Sequence, residues 1–591
     1  MIELASYDPL LFKSPKGVVV KQTIVNFKLK IDNPQVINKA FLMVVEDGGQ
    51  DYTYKEMKKN DTFYTVDYKF EASGHFFYNF KLETSEGVYY ISKTFDTFSY
   101  ITREKGEDFF QAVLEKEYTC TDSMQGGLIY QIYTDRFASV GEINCREPLI
   151  YRKDWGGKIK KNTTDPLIIN REVFGGNFKG IISKLDYLKS LGVTIIYLNP
   201  ISLANSNHKY DTADYMRIDD MFGTEREFKK LIEEAKSRNI KIIIDGVYNH
   251  TGSDSVYFNK EGRFNTLGAY KSKESRFYEW FDFIEYPDKY QSWWGIDTLP
   301  CIKHDSEDYQ EYITGEKGVI EKYLSLGVFG VRLDVVDEIS DSFVKKIASR
   351  VGTRSENHVV MGEVWEDAAT KISWTTRRKY FVNNELNSVM NYPIKESILK
   401  YVKTGETYDL VSTIRMLQNN YPKTVLDNLM NFLTTHDTGR IYSELIATAD
   451  GNLEIAEKLY KIAFGIMFTV SGVPSIFYGD EYGMENNDGS SRGCFDWKNY
   501  ENSRYEYIQT LSKIRKKKSL KDGDLNILYS NCGKFVFERV LKDERLIVLA
   551  NIMPSTININ LNGKFKSFFT GEEKRNFKLN QYDFEILEEL K

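Results

Sequence analysis

The sequence predicts an α/β protein: a (β/α)8 TIM barrel with an inserted lid, flanked by an antiparallel β-sandwich at each end of the chain. Three observations predict it. From about residue 126, short apolar runs alternate with helix-period stretches until eight strand candidates have accumulated. Near-continuous apolar strands suit a parallel sheet buried on both faces, and eight such units favour a closed barrel over an open sheet. Four carboxylates, Asp245, Asp334, Glu363 and Asp437, each follow one of these runs, where the C-terminal ends of barrel strands converge on one mouth. Finally, 591 residues exceed what one core usually organises.

In chain order, residues 1–115 carry VVVKQTIVNFKLKI, KAFLMVV, FYTVDYKF, HFFYNFKLE and GVYYI, separated by Gly, Asn, Asp and Ser turns. Short strands at this spacing predict a sandwich. Residues 116–125 are polar and mixed and read as a linker. The barrel spans 126–518, with strands in LIYQIYTDRF, TIIYLNP, IKIIIDGVY, VFGVRLDV, HVVMGEV, LNSVMNY, LMNFLTTHD and PSIFYGDE. After the third strand, about 250–312 forms a long aromatic and polar connection that includes YEWFDFIEYPDKYQSWWGIDTLP. Connections of that length inside compact domains are usually functional, so it reads as the lid. Residues 519–591 return to strand character in KFVFERV, RLIVLANI and STININL and predict a small C-terminal sandwich.

Composition narrows the function classes. With 41% hydrophobic and 28% charged residues the chain is globular, and a net charge of −6 offers no electrostatic footprint for nucleic acid. Arg515–Lys518 is a short run at a helix end, better read as a solvated face than as a binding patch. No apolar stretch reaches the roughly 18 residues of a membrane span. The start, MIELASYDPLLFKSPKG, has no basic n-region followed by an apolar h-region, so a cytoplasmic location is expected. Five widely spaced cysteines without metal-ligand spacing read as free thiols.

The acids themselves suggest chemistry. Arg332 and Asp334 lie two apart on a strand, so both side chains point to one face. A neighbouring guanidinium favours an ionised carboxylate, which is what a covalent glycosyl-enzyme step needs. The bland alternative is a structural ion pair. Glu363 sits between VVMG and Val364-Trp365, an apolar setting that helps a carboxyl keep a proton for a leaving oxygen. Three of the six histidines, His208, His250 and His436, fall beside strand-end acids.

Together the blocks DGVYNH, GVRLDV, GEVW and THD resemble, in order, the four principal regions of the α-amylase superfamily of retaining glycosidases, glycoside hydrolase family 13. The resemblance runs over nearly the whole chain. It implies Asp334 as nucleophile, Glu363 as acid/base and Asp437 as the acid that stabilises the distorted transition state. It also implies that Arg332, His250 and His436 line the same subsite, that Tyr210 stacks under the sugar, and that Asp245 is mainly architectural. SNHKYDTADY, VMNYP, THDTGR and GVPSIFYGDEYGMEN are similar to the neopullulanase, cyclomaltodextrinase and maltogenic amylase group, while ISWTTRRKYF and WWGIDTLP resemble amylopullulanases. Asp488 and Arg492 match a pair that contacts the non-reducing-end sugar, and Trp365 a position that shapes the acceptor side.

Three departures accompany the match. Leu299–Lys303 replaces the common MPKLN, and Thr435 precedes His436 where Asn or Ser is usual. The family's calcium loop is degraded to Ala138–Glu142, with Gly175-Gly176-Asn177 where GGD is usual, removing hard oxygen ligands. No metal or cofactor is required for the implied reaction, with calcium possible at the degraded loop. That reaction is retaining hydrolysis of α-glucosidic bonds, mainly α-1,4 with α-1,6 open, in maltodextrin, cyclodextrin, pullulan or starch. A glucanotransferase and a catalytically silent glucan-binding scaffold are the competing readings. The N-terminal domain could bind starch, form a homodimer or shield the barrel.

Overall fold

The computed structural model describes residues 4–33, 35–94, 98–119, 124–159, 170–355, 357–487, 489–499 and 502–590. The chain divides into two compact units. One comprises residues 1–121, 365–387 and 408–427; the other comprises 122–364, 388–407 and 428–591.

In the first unit, a five-stranded and a seven-stranded sheet form the expected sandwich. The strand Ile24–Ile31 alternates strictly, sending Val25, Phe27, Leu29 and Ile31 inward, the period-2 pattern of a half-buried strand. Phe27 pairs with Val66 and Leu42 with Phe80. Tyr78 and Phe80, from the aromatic run HFFYNF, are fully buried in this core, which removes them from any sugar-binding surface. The linker expected at 116–125 falls partly outside the described residues; its described start is tied down, Tyr118 donating to the Leu386 carbonyl at 2.9 Å. Two segments that the sequence assigned to the barrel, 365–387 and 408–427, pack here instead. Buried Lys13 binds Gln111 at 2.6 Å and Asn419 at 3.3 Å.

In the second unit, eight parallel strands form one sheet: β1 (Ile129–Ile132), β2 (Ile195–Leu198), β3 (Lys241–Gly246), β4 (Gly330–Leu333), β5 (Val359–Gly362), β6 (Ser388–Val389), β7 (Met430–Asn431) and β8 (Val473–Phe477). Their order is β6-β5-β4-β3-β2-β1-β8-β7. A single parallel bridge, Met390–Met430, joins the two ends and completes the barrel. Ile129, Ile195, Tyr197, Ile243, Val359, Met361, Met430 and Val473 fill the interior, the packed core such barrels require. The segment between β3 and β4 contains two 3-10 turns and a small hairpin (Phe283–Glu285 with Lys289–Tyr290), around a fully buried Trp280. The C-terminal region is one six-stranded antiparallel sheet around Val536, Ile547, Leu549 and Phe565. Among the described residues no helix is long and apolar enough to cross a membrane.

Candidate active site

The parallel register sets the first contact. Asp245 on β3 lies opposite Arg332 on β4, so the two side chains share the interior face. Asp334 and Glu363 each stand one residue beyond their strands, β4 and β5. Arg332 is fully buried and touches three carboxylates: Asp245 Oδ1 at 2.8 Å and Asp334 Oδ1 at 2.7 Å through Nη1, and Glu363 Oε2 at 2.8 Å through Nη2. One guanidinium cannot neutralise three acids. Burial pushes the Asp334 carboxyl well above the usual range, and the charges of Glu363 and Asp245 add to the rise, while Arg332 opposes it. The expectation that Arg332 by itself keeps Asp334 ionised is therefore corrected: the guanidinium is shared, and too few positive charges are present.

The backbone is strained at the same point. Val335, directly after Asp334, has φ 39° and ψ 49°. A β-branched residue in the left-handed region is a genuine outlier and costs on the order of 1–3 kcal/mol. The conformation aims the Val335 N–H at Glu363 Oε2, 2.9 Å away.

A second, more polar group surrounds Asp437. His436 Nε2 lies 2.9 Å from Asp437 Oδ2 and 2.6 Å from the Tyr210 hydroxyl. Gln131 Nε2 approaches His436 Nδ1 at 2.9 Å. The Tyr210 hydroxyl donates to Asp245 Oδ2 at 2.8 Å and accepts from Asn199 Nδ2 at 3.0 Å. Its ring lies parallel to that of His436, centroids 5.3 Å apart. Tyr197 adds a second hydroxyl to Asp245 Oδ2 at 2.7 Å. Arg492 donates from Nε to the His436 carbonyl at 2.8 Å and reaches Asp437 Oδ1 at 3.2 Å. Partial enclosure raises the Asp437 carboxyl, but His436 and Arg492 outweigh it and hold the group well below the usual range.

His250 is buried and stacks on Trp293, centroids 5.3 Å apart. Burial lowers it to about 4, so it is neutral at physiological pH. Among the described residues its Nε2 has no hydrogen-bond partner.

The structure thus gathers Asp245, Arg332, Asp334, Glu363, Tyr210, His436, Asp437 and Arg492 into one connected network. Trp365 is half exposed and belongs to the other compact unit. Asp488 lies outside the described residues. Sequence reasoning missed Gln131, Tyr197 and Asn199, although polar groups inside or just past apolar strands β1 and β2 were a readable signal. It also missed Val335, whose side chain gives no hint of a left-handed backbone.

The calcium question can be put to the residues themselves. Gly175 has φ 84°, and a Cβ on Gly176 would fall 2.0 Å from the Thr134 carbonyl; the two glycines let this turn press against the loop after β1. Asn177 Oδ1 then caps the helix Phe178–Ser183 through the Gly180 N–H at 2.8 Å, while its Nδ2 donates to the Val140 carbonyl at 3.1 Å. An N–H donor facing that carbonyl stitches the loop directly and does not fit a hard cation, which needs oxygen ligands. Among the described residues no group of three or more acids, histidines or cysteines is arranged to hold a metal ion.

Three acids gathered around a buried arginine at the strand ends of a (β/α)8 barrel mark the mouth where such folds carry their active sites. Residues 131–524 match the family described as "Alpha amylase, catalytic domain", and the chain belongs to that family. It is 30% identical to an amylopullulanase of Thermoanaerobacterium saccharolyticum, over 90% of this chain and 46% of the relative. It is 29% identical to neopullulanase 2 of Thermoactinomyces vulgaris, over 79% of this chain and 76% of that protein. The type III pullulan hydrolase from Thermococcus kodakarensis superposes with a TM-score of 0.70 at 24% identity, covering 99% of this chain and 100% of its own, which speaks for the fold alone. The chain spans less than half the length of the amylopullulanases it matches.

Proposed function

We propose that this chain is a retaining glycoside hydrolase acting on α-glucans, by double displacement. The observation that carries the reading is Arg332 touching Asp334 and Glu363 through its two terminal nitrogens. Two carboxyls held by one guanidinium suit the ~5–5.5 Å separation of retaining enzymes better than the ~6.5–9.5 Å of inverting ones. When Glu363 acts as the acid and carries the proton it will donate, the like-charge repulsion on Asp334 is relieved and Arg332 serves Asp334 and Asp245. Asp334 then attacks the anomeric carbon, displacing the glycosidic oxygen as Glu363 protonates it; Glu363 next takes a proton from water as the water oxygen attacks the same carbon and breaks its bond to Asp334, and the sugar leaves with its configuration retained.

The remaining roles follow the contacts. Tyr210, held by Asp245, Asn199 and His436, offers a fixed ring for a pyranose. Asp437, kept ionised by His436 and Arg492, offers a negative charge to an oxocarbenium-like transition state. His250 supplies a neutral ring with an unengaged nitrogen. The family resemblance, not a contact, assigns Trp365 to the acceptor side and Arg492 with Asp488 to the non-reducing-end sugar. The relatives' names support pullulan, cyclodextrin and maltodextrin as the substrates to test. No metal enters this mechanism. A homodimer through the N-terminal unit is proposed and tested by sedimentation of the full chain; a monomer at micromolar concentration would reject it.

The test is the product profile on pullulan, β-cyclodextrin, maltotriose and soluble starch, with Asp334→Asn as blank. Panose from pullulan is the expected product and marks α-1,4 cutting. Maltotriose from pullulan would move the assignment to α-1,6 bonds. Equal traces for wild type and blank on every glucan would reject hydrolysis and bring the silent scaffold forward.

A further inference from the structure

Trp294 is exposed in a way that folding alone does not explain. Its side chain is 81% accessible, although an indole is among the largest apolar groups a chain can bury. Its backbone is left-handed at φ 53°, a conformation that costs a non-glycine residue on the order of 1–3 kcal/mol. Exposure and strain thus fall on one residue whose ring contact, a tilted one to Trp293 at 6.1 Å, leaves most of the indole open. The ring is nonetheless fixed: its Nε1–H donates to Glu338 Oε1 at 2.8 Å. The other oxygen of Glu338 accepts from Asn249 Nδ2 at 3.3 Å. Glu338 lies in the turn that follows Asp334, and Asn249 directly precedes His250. The preceding residue, Trp293, stacks on His250. An open aromatic face is therefore fastened, through one carboxylate, to the segments that carry the nucleophile and His250.

We propose that Trp294 is a sugar-stacking residue of the barrel mouth, oriented by Glu338, which packs against a glucosyl ring near the cleavage point. This rests on the α-glucan reading. The flat apolar face of a pyranose suits an indole, and fixing the ring beforehand lowers the ordering cost of binding.

The experiment uses the full-length Asp334→Asn protein as a silent background, titrated with maltoheptaose by calorimetry and by tryptophan fluorescence. Adding Trp294→Ala should weaken Kd about fivefold to tenfold, the scale of one aromatic contact, and remove part of the fluorescence change. Trp294→Phe keeps a ring and should stay within about twofold of the background protein. Glu338→Gln keeps an acceptor for the indole and should behave like Trp294→Phe, whereas Glu338→Ala should approach Trp294→Ala. In the active protein, Trp294→Ala should raise KM with little change in kcat, as expected for uniform binding. If the background protein binds maltoheptaose and Trp294→Ala changes neither Kd nor the spectrum, the stacking role is overturned while the glucan reading stands. If the background protein binds no glucan and the wild type acts on none, both fall.

Discussion

Two buried arginines near the C-terminal ends of the barrel strands do opposite things with their charge. Arg136, just past β1, pairs with one acid, Asp135, at 2.6 Å, and gives its other nitrogens to the carbonyls of Arg492 and Glu172 at 2.8 and 2.9 Å. Asp135 in turn accepts the N–H groups of Phe174 and Gly175. Every charge there is answered, and the cluster serves structure. Arg332 faces three acids, which otherwise receive neutral donors: the Val335 N–H at Glu363 and the Tyr197 and Tyr210 hydroxyls at Asp245. The difference teaches where to look for chemistry in a barrel full of ion pairs: at the cluster left short of charge, beside the strained backbone, since saturated pairs of equal burial only hold loops.

Four experiments would break or sharpen this contrast. The largest effect belongs to the unsaturated cluster. Asp334→Asn or Glu363→Gln should cut turnover on maltodextrin at least about a thousandfold, and Asp334→Asn should leave Tm unchanged or raised, because it removes a surplus buried charge. A clear loss of Tm in Asp334→Asn would mean that this acid, too, is structural. Next comes the saturated pair: Arg136→Met strands a buried carboxylate and should cost about 3–5 kcal/mol in urea unfolding. A loss under about 1 kcal/mol, the scale of an exposed pair, would erase the distinction.

A third, subtler effect concerns Glu481, which accepts hydroxyls from Tyr130 and Tyr187. Burial pushes its carboxyl from 4.5 to about 7. Between those values the folded chain keeps a proton that the unfolded chain releases, so stability falls as pH rises across that window. Glu481→Gln should abolish this contribution, its Tm gaining on wild type between about pH 5 and pH 8; parallel Tm curves would contradict the assignment. The smallest effect is a null one. With Asn177 donating to Val140, chelation by EDTA should not move Tm, and a drop reversed by calcium would restore a metal to that loop.

Much of this was legible in the sequence. The eight strands could be read because strands buried on both faces are continuous apolar runs, and the acids because they end those runs. The interlocking of Gln131, Tyr197 and Asn199 with His436 and Tyr210 was less visible: each residue is unremarkable alone, and only the barrel's closure brings them together. The helix Tyr408–Asn420 has an ordinary amphipathic pattern, and nothing local reveals that its partners, Lys13 and Phe110 among them, lie in the first 115 residues. Likewise, strand spacing in the C-terminal region could not distinguish two sheets from the single one observed.

That helix has a practical consequence. The chain leaves the barrel twice, at 365–387 and at 408–427, to complete the N-terminal unit before returning. Neither part is a cassette to be excised or grafted. Deleting the first 115 residues would strip Asn419 of Lys13 and Arg377 of Asp47, and unsettle the connection that follows Glu363. Any attempt to swap this N-terminal region between homologues should carry both excursions with it.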